Sequence, residues 1–119
     1  MLHLTRMLAV SALICATEAV AAPRAESALE CGIAADMAVV AHSLAKEQVQ
    51  RTKADTIMAR IYDVSQSDRG KELMKEILDA AYVTTGPTAQ KSGQKFAEDL
   101  FASCMKSGGD MDPVLGKKL

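Results

Sequence analysis

The chain has 119 residues, a formal net charge of −1 and 3% aromatic residues with no tryptophan. So even a charge balance gives no electrostatic footprint for nucleic acid or an anionic membrane surface, and so few rings give no stacking platform for bases or sugars. The length fits one domain, with alanine, leucine, isoleucine and methionine left to fill its interior.

Residues 1–21 read as a secretory signal peptide. His3 and Arg6 form a charged n-region, an apolar stretch runs from Met7 to about Ala16, and small residues gather around Ala19-Val20-Ala21. Cleavage is expected after Ala21, since a cut one residue later would set Pro23 directly behind the scissile bond. The apolar run is about half of the ~20 residues a spanning helix needs, and Glu18 interrupts its end, so no stable membrane anchor is expected after cleavage. Ile14 stands where a lipoprotein signal would need a small residue before Cys15. The mature part, about 98 residues, divides into a helical domain over 22–109 and a flexible tail over 110–119.

The first mature helix is expected to start at Ser27-Ala28-Leu29-Glu30, which has the spacing of a capping box. Its apolar stripe is Leu29, Ile33, Met37, Val40 and Leu44, with Ala34, Ala38, Ala41 and Ala45 beside it to let another helix approach closely. The period is lost between Lys46 and Gln50. A second helix is expected from a cap-like Thr52-Lys53-Ala54-Asp55 to near Val64, with Ile57, Met58, Ile61 and Tyr62 on its apolar side.

The polar run Ser65 to Asp68 supplies a turn and a new N-cap, followed by a third helix with Leu73, Met74, Ile77, Leu78 and Ala81 on one face. Thr84-Thr85-Gly86-Pro87 stops it. Thr88 is the expected cap of a fourth helix, in which Gly93, Phe96, Ala97, Leu100, Phe101, Cys104 and Met105 recur at steps of three and four. Gly108-Gly109 ends that helix with left-handed geometry, and Asp110 to Leu119 shows no period. No useful stretch alternates with period two, so the fold class is all-α, a small bundle of about four helices.

With the signal removed, two cysteines remain, Cys31 early in the first helix and Cys104 near the end of the fourth. In an exported protein such a pair reads as a disulfide, closing a loop whose entropy contributes about 4 kcal/mol. A bridge leaves a thin catalytic inventory. His42 is the one mature histidine, and pairing it with Cys31 or Cys104 as a nucleophile would need a free thiolate that an oxidising compartment removes. There is no Gly-rich phosphate loop and no paired-histidine spacing, so no catalytic residue, no metal site and no cofactor are expected.

Asp110-Met111-Asp112 reads as solvated tail charge, because the twelve-residue calcium loop is absent. Met37, Met58, Met74 and Met105 read as core filler on helical faces. Tyr62 and Tyr82 stand at the edges of two apolar stripes, where a ring can bury and a hydroxyl stay wet; with the flank of the fourth helix they are the first place to expect an interaction surface.

In size, export signal and single bridge, the mature chain resembles small helical periplasmic proteins of Gram-negative bacteria, a group that includes acid-stress chaperones and immunity proteins. The resemblance is architectural and carries no functional residue across. Together these features imply a periplasmic or secreted domain that is not an enzyme and binds another protein, as an inhibitor, immunity protein or adaptor. A stress chaperone is the alternative, and an enzyme using His42 the third reading. Nothing in the sequence sets the oligomeric state.

Overall fold

Serine hydroxyls start the three longest helices. The computed structural model describes residues 24–62, 67–84, 86 and 88–116. Within them the chain runs through α1 (Ala28–Lys46), α2 (Arg51–Ile61), α3 (Asp68–Ala81), a 3-10 turn (Thr88–Gln90), α4 (Gly93–Lys106) and a short α5 (Asp112–Leu115). Ser27, Ser67 and Ser92 accept the amides of Glu30, Gly70 and Lys95 at 3.2, 3.1 and 3.0 Å, each satisfying a donor left over by the first helical turn. Glu30 also reaches back to the Glu26 amide at 2.9 Å, so the expected capping box closes one residue further out.

The all-α expectation holds, with no strand among the described residues. The predicted signal peptide 1–21 and its cleavage site, the end of the second helix near Val64, the turn residues Ser65 and Gln66, Thr85 and Pro87 of the predicted stop, and residues 117–119 lie outside the described residues.

Two helix starts differ from the sequence reading. Thr52 does not cap α2, which begins behind Gln50 with no side-chain cap; the Thr52 carbonyl accepts from the Thr56 hydroxyl instead. The reason lies in how α1 ends. Gln48 adopts φ 62°, the Gln48 amide donates to the Ala45 carbonyl and the Val49 amide to the Leu44 carbonyl, both at 3.0 Å. This is a Schellman closure, and it turns the chain early enough for α2 to start at Arg51. Thr88 likewise opens only a 3-10 turn, and the fourth helix begins five residues later because Ser92 holds the cap.

The larger correction concerns which face of α1 is the core. Cys31, Ala34, Met37, Ala38 and Ala41 are buried, whereas Leu29 is 74% exposed and Ile33 37%; Val40 and Leu44 pack only at the margin. Alanines on the inner face let α4 approach the α1 backbone, and α1 packs most extensively on α4 and next on α3. From α4 come Phe96, Ala97, Leu100 and Cys104, from α3 Leu73, Ile77, Leu78 and Ala80, and from α2 Ala54 and Met58. The predicted disulfide is present: Cys31 and Cys104 are bonded with Cα atoms 5.6 Å apart, across the α1–α4 seam.

The expectation of a loose tail from Asp110 is also overturned for residues 110–116. Met111 is fully buried, the Ser103 hydroxyl donates to the Asp110 carbonyl at 2.9 Å, and Asp112–Leu115 forms a helical turn packed on α3 and α4. The segment lacks a period because it is held by single contacts, not by an amphipathic face. Its main anchor is Arg24, 4% exposed, which donates to Glu76, to Asp112 at 2.5 Å and to the Gly116 carbonyl at 2.8 Å. Among the methionines, Met37, Met58 and Met111 fill the core, Met74 lies at its edge, and Met105 faces out at 48%.

Two stability outcomes follow from these contacts. Replacing the bridge, as Cys31→Ala with Cys104→Ala, is expected to cost about 4 kcal/mol for a closed loop of this length, read as a fall in the urea midpoint with helicity retained in buffer. Gln48→Gly is expected to raise stability by about 0.5–1 kcal/mol in the same assay, because glycine occupies left-handed geometry without the steric cost that glutamine bears.

Candidate functional site

α1 carries only Glu30, Asp36 and Lys46 as formal charges in 19 residues. By length and composition alone it could cross a membrane, yet it is the helix on which α2, α3 and α4 pack. A helix of this kind has more apolar surface than one seam can cover. Ala28, Gly32, Ala35 and Val39 recur at steps of four, three and four on one outward arc, free of charge. Val39 is 46% exposed.

Alongside that arc, α4 presents Phe101 at 41% exposed and Met105, one turn on, still more open. Sequence reading placed both of these in the core, since their spacing matches the stripe; burial of Ala97, Leu100 and Cys104 rotates them outward. Between the helices lies an open groove of about 450 Å³, lined by Ala35 and Val39 from α1 and by Gln94, Ala97, Glu98 and Phe101 from α4. Its polar rim is acidic. Glu98 accepts from the Gln94 side-chain amide at 3.1 Å and makes no salt bridge among the described residues. Its neighbour Asp99 does have two: hydrogen bonds from Lys91 and Lys95, at 2.8 and 2.9 Å, hold that carboxyl below its ordinary range.

A second open groove, about 580 Å³, lies at the other end of the α1–α4 seam and contains His42. The His42 Nε2 lies 3.0 Å from the Lys91 carbonyl. A carbonyl only accepts, so this contact places the proton on Nε2. Gly93 makes room for the ring: a Cβ there would stand 3.1 Å from Nδ1. The rest of the lining is Lys46, Lys91, Gln90, the hydroxyls of Thr84, Thr88 and Ser92, and small apolar residues, with no carboxylate and no thiol. Among the described residues no three His, Cys, Asp or Glu side chains come together in a metal-binding group.

Tyr62 and Tyr82 stand at opposite ends of α2 and are not brought together. The Tyr62 hydroxyl donates to Asp36 at 2.5 Å, and the Tyr82 hydroxyl donates to the Val49 carbonyl at 2.6 Å beneath Arg51, whose guanidinium carbon lies 5.7 Å from the ring centroid. Arg51 in turn pairs with Asp55 and Asp79 at 3.0 and 2.8 Å. Both rings pack at the margin of the core, so each tyrosine joins α2 to a neighbour. The exposed apolar surface of Phe101 and Met105 lies on the α4 flank that the sequence reading named beside them. No protein family, curated protein or solved structure matches the chain.

Burial, then the bond to Asp36, pushes the Tyr62 phenol well above its ordinary range, and burial raises Tyr82 as well. A group whose native value is raised contributes its stability in full below the unfolded value of about 10 and loses it as pH climbs through the native one. In an absorbance titration both tyrosines are expected to stay un-ionised past pH 10 and to revert to ordinary behaviour in denaturant. Tyr62→Phe is expected to cost about 1 kcal/mol at neutral pH and to flatten the alkaline loss of stability.

Proposed function

We propose that this chain is an exported helical domain, periplasmic or secreted, that acts by binding another protein through the outward α1–α4 face. The observation that carries the reading is the uncharged arc of Gly32, Ala35 and Val39 beside Phe101 and Met105, an exposed apolar surface built on the best-anchored seam of the domain. A groove with small residues between two helices, walled by Val39 and Phe101, suits the apolar ridge of a partner helix, and Glu98 at the rim, in no salt bridge among the described residues, favours a basic residue on it. The disulfide is consistent with an oxidising compartment, which supports export.

The catalytic alternative has less support. His42 lines a groove without a carboxylate or thiol beside it, so no base, nucleophile or orienting acid is paired with it there. The inhibitor, immunity and adaptor roles all use a face of this kind, and a stress chaperone would use the same surface on many clients.

Affinity capture from periplasmic extract under non-reducing conditions tests the reading, with Val39→Asp and Phe101→Asp as matched baits. The wild-type domain is expected to recover one stoichiometric protein, and each variant to weaken that complex at least about tenfold while keeping its helicity. Recovery of many unrelated clients would favour the chaperone. Equal capture by the variants would sink the assigned face, and recovery of nothing would return attention to the His42 groove.

A further inference from the structure

We propose that Arg24 is an acid-released clasp, closing both ends of the described chain onto α3 at neutral pH and letting them go, ahead of the disulfide-tied core, as carboxylates protonate. Arg24 lies before the first helix, yet its side chain is nearly as buried as the hydrophobic core. Its charge is met by Glu76 of α3 and Asp112 of α5, and its Nη2 donates to the Gly116 carbonyl. One guanidinium thus joins the segment before α1, the third helix and the last turn.

The same segments share further contacts. The Ala25 amide donates to the Gly109 carbonyl at 3.3 Å, and both Ala25 and Met111 are fully buried. Arg69 of α3 donates to the Arg24 carbonyl at 3.2 Å and pairs with Glu26 and Glu30. Asp110 accepts the Asp112 amide at 3.0 Å, while α4 contributes the Ser103 hydroxyl and no ion pair to this cluster among the described residues. The charged groups around the clasp are therefore Glu76 and Arg69 from α3, Asp112 from α5, Asp110 before it, and Glu26 and Glu30 around the start of α1.

Acid acts unequally on this set. A guanidinium keeps its proton and charge at every accessible pH, whereas a carboxylate takes up a proton in acid and loses its charge. When Glu76 and Asp112 protonate, Arg24 becomes a buried charge without a counter-charge, the arrangement that proteins tolerate least. Arg69 faces no such difficulty, because its side chain is 31% exposed and water already shares its charge. The clasp is thus closed while these carboxylates are charged and open once they are protonated. Arg24 reaches water only by lifting its own segment, which takes Ala25 off Gly109 and uncovers Met111. Cys31 and Cys104 hold the α1–α4 seam together meanwhile.

Hydrogen exchange on the disulfide-intact protein tests this, with protection normalised to the intrinsic rate at each pH. Between pH 7 and pH 3 the amides of Val114, Leu115 and Gly116 are expected to lose protection on the order of a hundredfold relative to those of α1 and α4, as breaking a buried pair implies. Arg24→Met, which keeps the volume and removes the charge, is expected to hold the segment closed at pH 3. Glu76→Gln with Asp112→Asn is expected to open it already at pH 7. The clasp is refuted if the wild-type segment stays protected at pH 3, if it opens equally in Arg24→Met, if the carboxylate double variant stays closed at pH 7, or if all helices lose protection together.

Discussion

Alanine on the inner face of α1 sets the distance at which α4 can lie, and the rest of the domain is arranged around that approach. Ala34, Ala38 and Ala41 are fully buried, so the contact is made close to backbone, with Cys31 and Cys104 bonded across it. Larger side chains at these positions would force the helices apart and pull the sulfurs out of reach. Because the seam is narrow, volume has to come from elsewhere. Phe96, Leu100, Ile77, Leu78, Met37 and Met58 supply it on the side where α3 and α2 close over.

Choosing the small face as the core has a direct consequence for the large one. The sequence shows two overlapping stripes on α1, one of alanine and one of leucine, isoleucine and valine, and hydrophobicity alone favours the second. Burial follows the first, since the bridge demands a close partner and α4 can come close only over small residues. Leu29 and Ile33 are then left exposed, as is Val39, which belongs to neither stripe, and on α4 the matching rotation exposes Phe101 and Met105. On the candidate binding face Phe101 and Met105 are therefore the remainder of a packing decision, which is why they read as core from periodicity, whereas Val39 stands outside both stripes of α1.

Legibility followed the range of the interaction concerned. Ser27, and the run Ser65 to Asp68 that contains the Ser67 cap, were readable as helix starts because a cap acts over three residues, and the disulfide was readable because two cysteines at opposite ends of a chain that reads as exported have one natural use. Ser92 was missed in favour of Thr88, both being good caps, because a 3-10 turn separates them and leaves no separate pattern. The Schellman turn at Gln48 was unreadable without a glycine to mark it. Arg24 was opaque for a different reason: its partners Glu76 and Asp112 lie 52 and 88 positions away, and Met111, though fully buried, belongs to no periodic segment.

The two covalent and ionic ties also divide the domain into parts with different tolerance. The bridge acts across α1 and α4 whatever the pH, through a bond that protons do not touch. The segment before α1 and the last turn depend instead on carboxylates and one buried guanidinium, whose balance is set by the solvent outside. The exposed Val39–Phe101 face belongs to the first part, because Ala35 and Ala97 beneath it are fixed by the seam. A partner bound there would meet a surface held in place by the covalent tie, while the apolar side of Met111 to Leu115 sits under the ionic one. A surface kept ready and a surface kept covered can thus coexist in a domain of this size, because the chain assigns them to chemically independent fastenings.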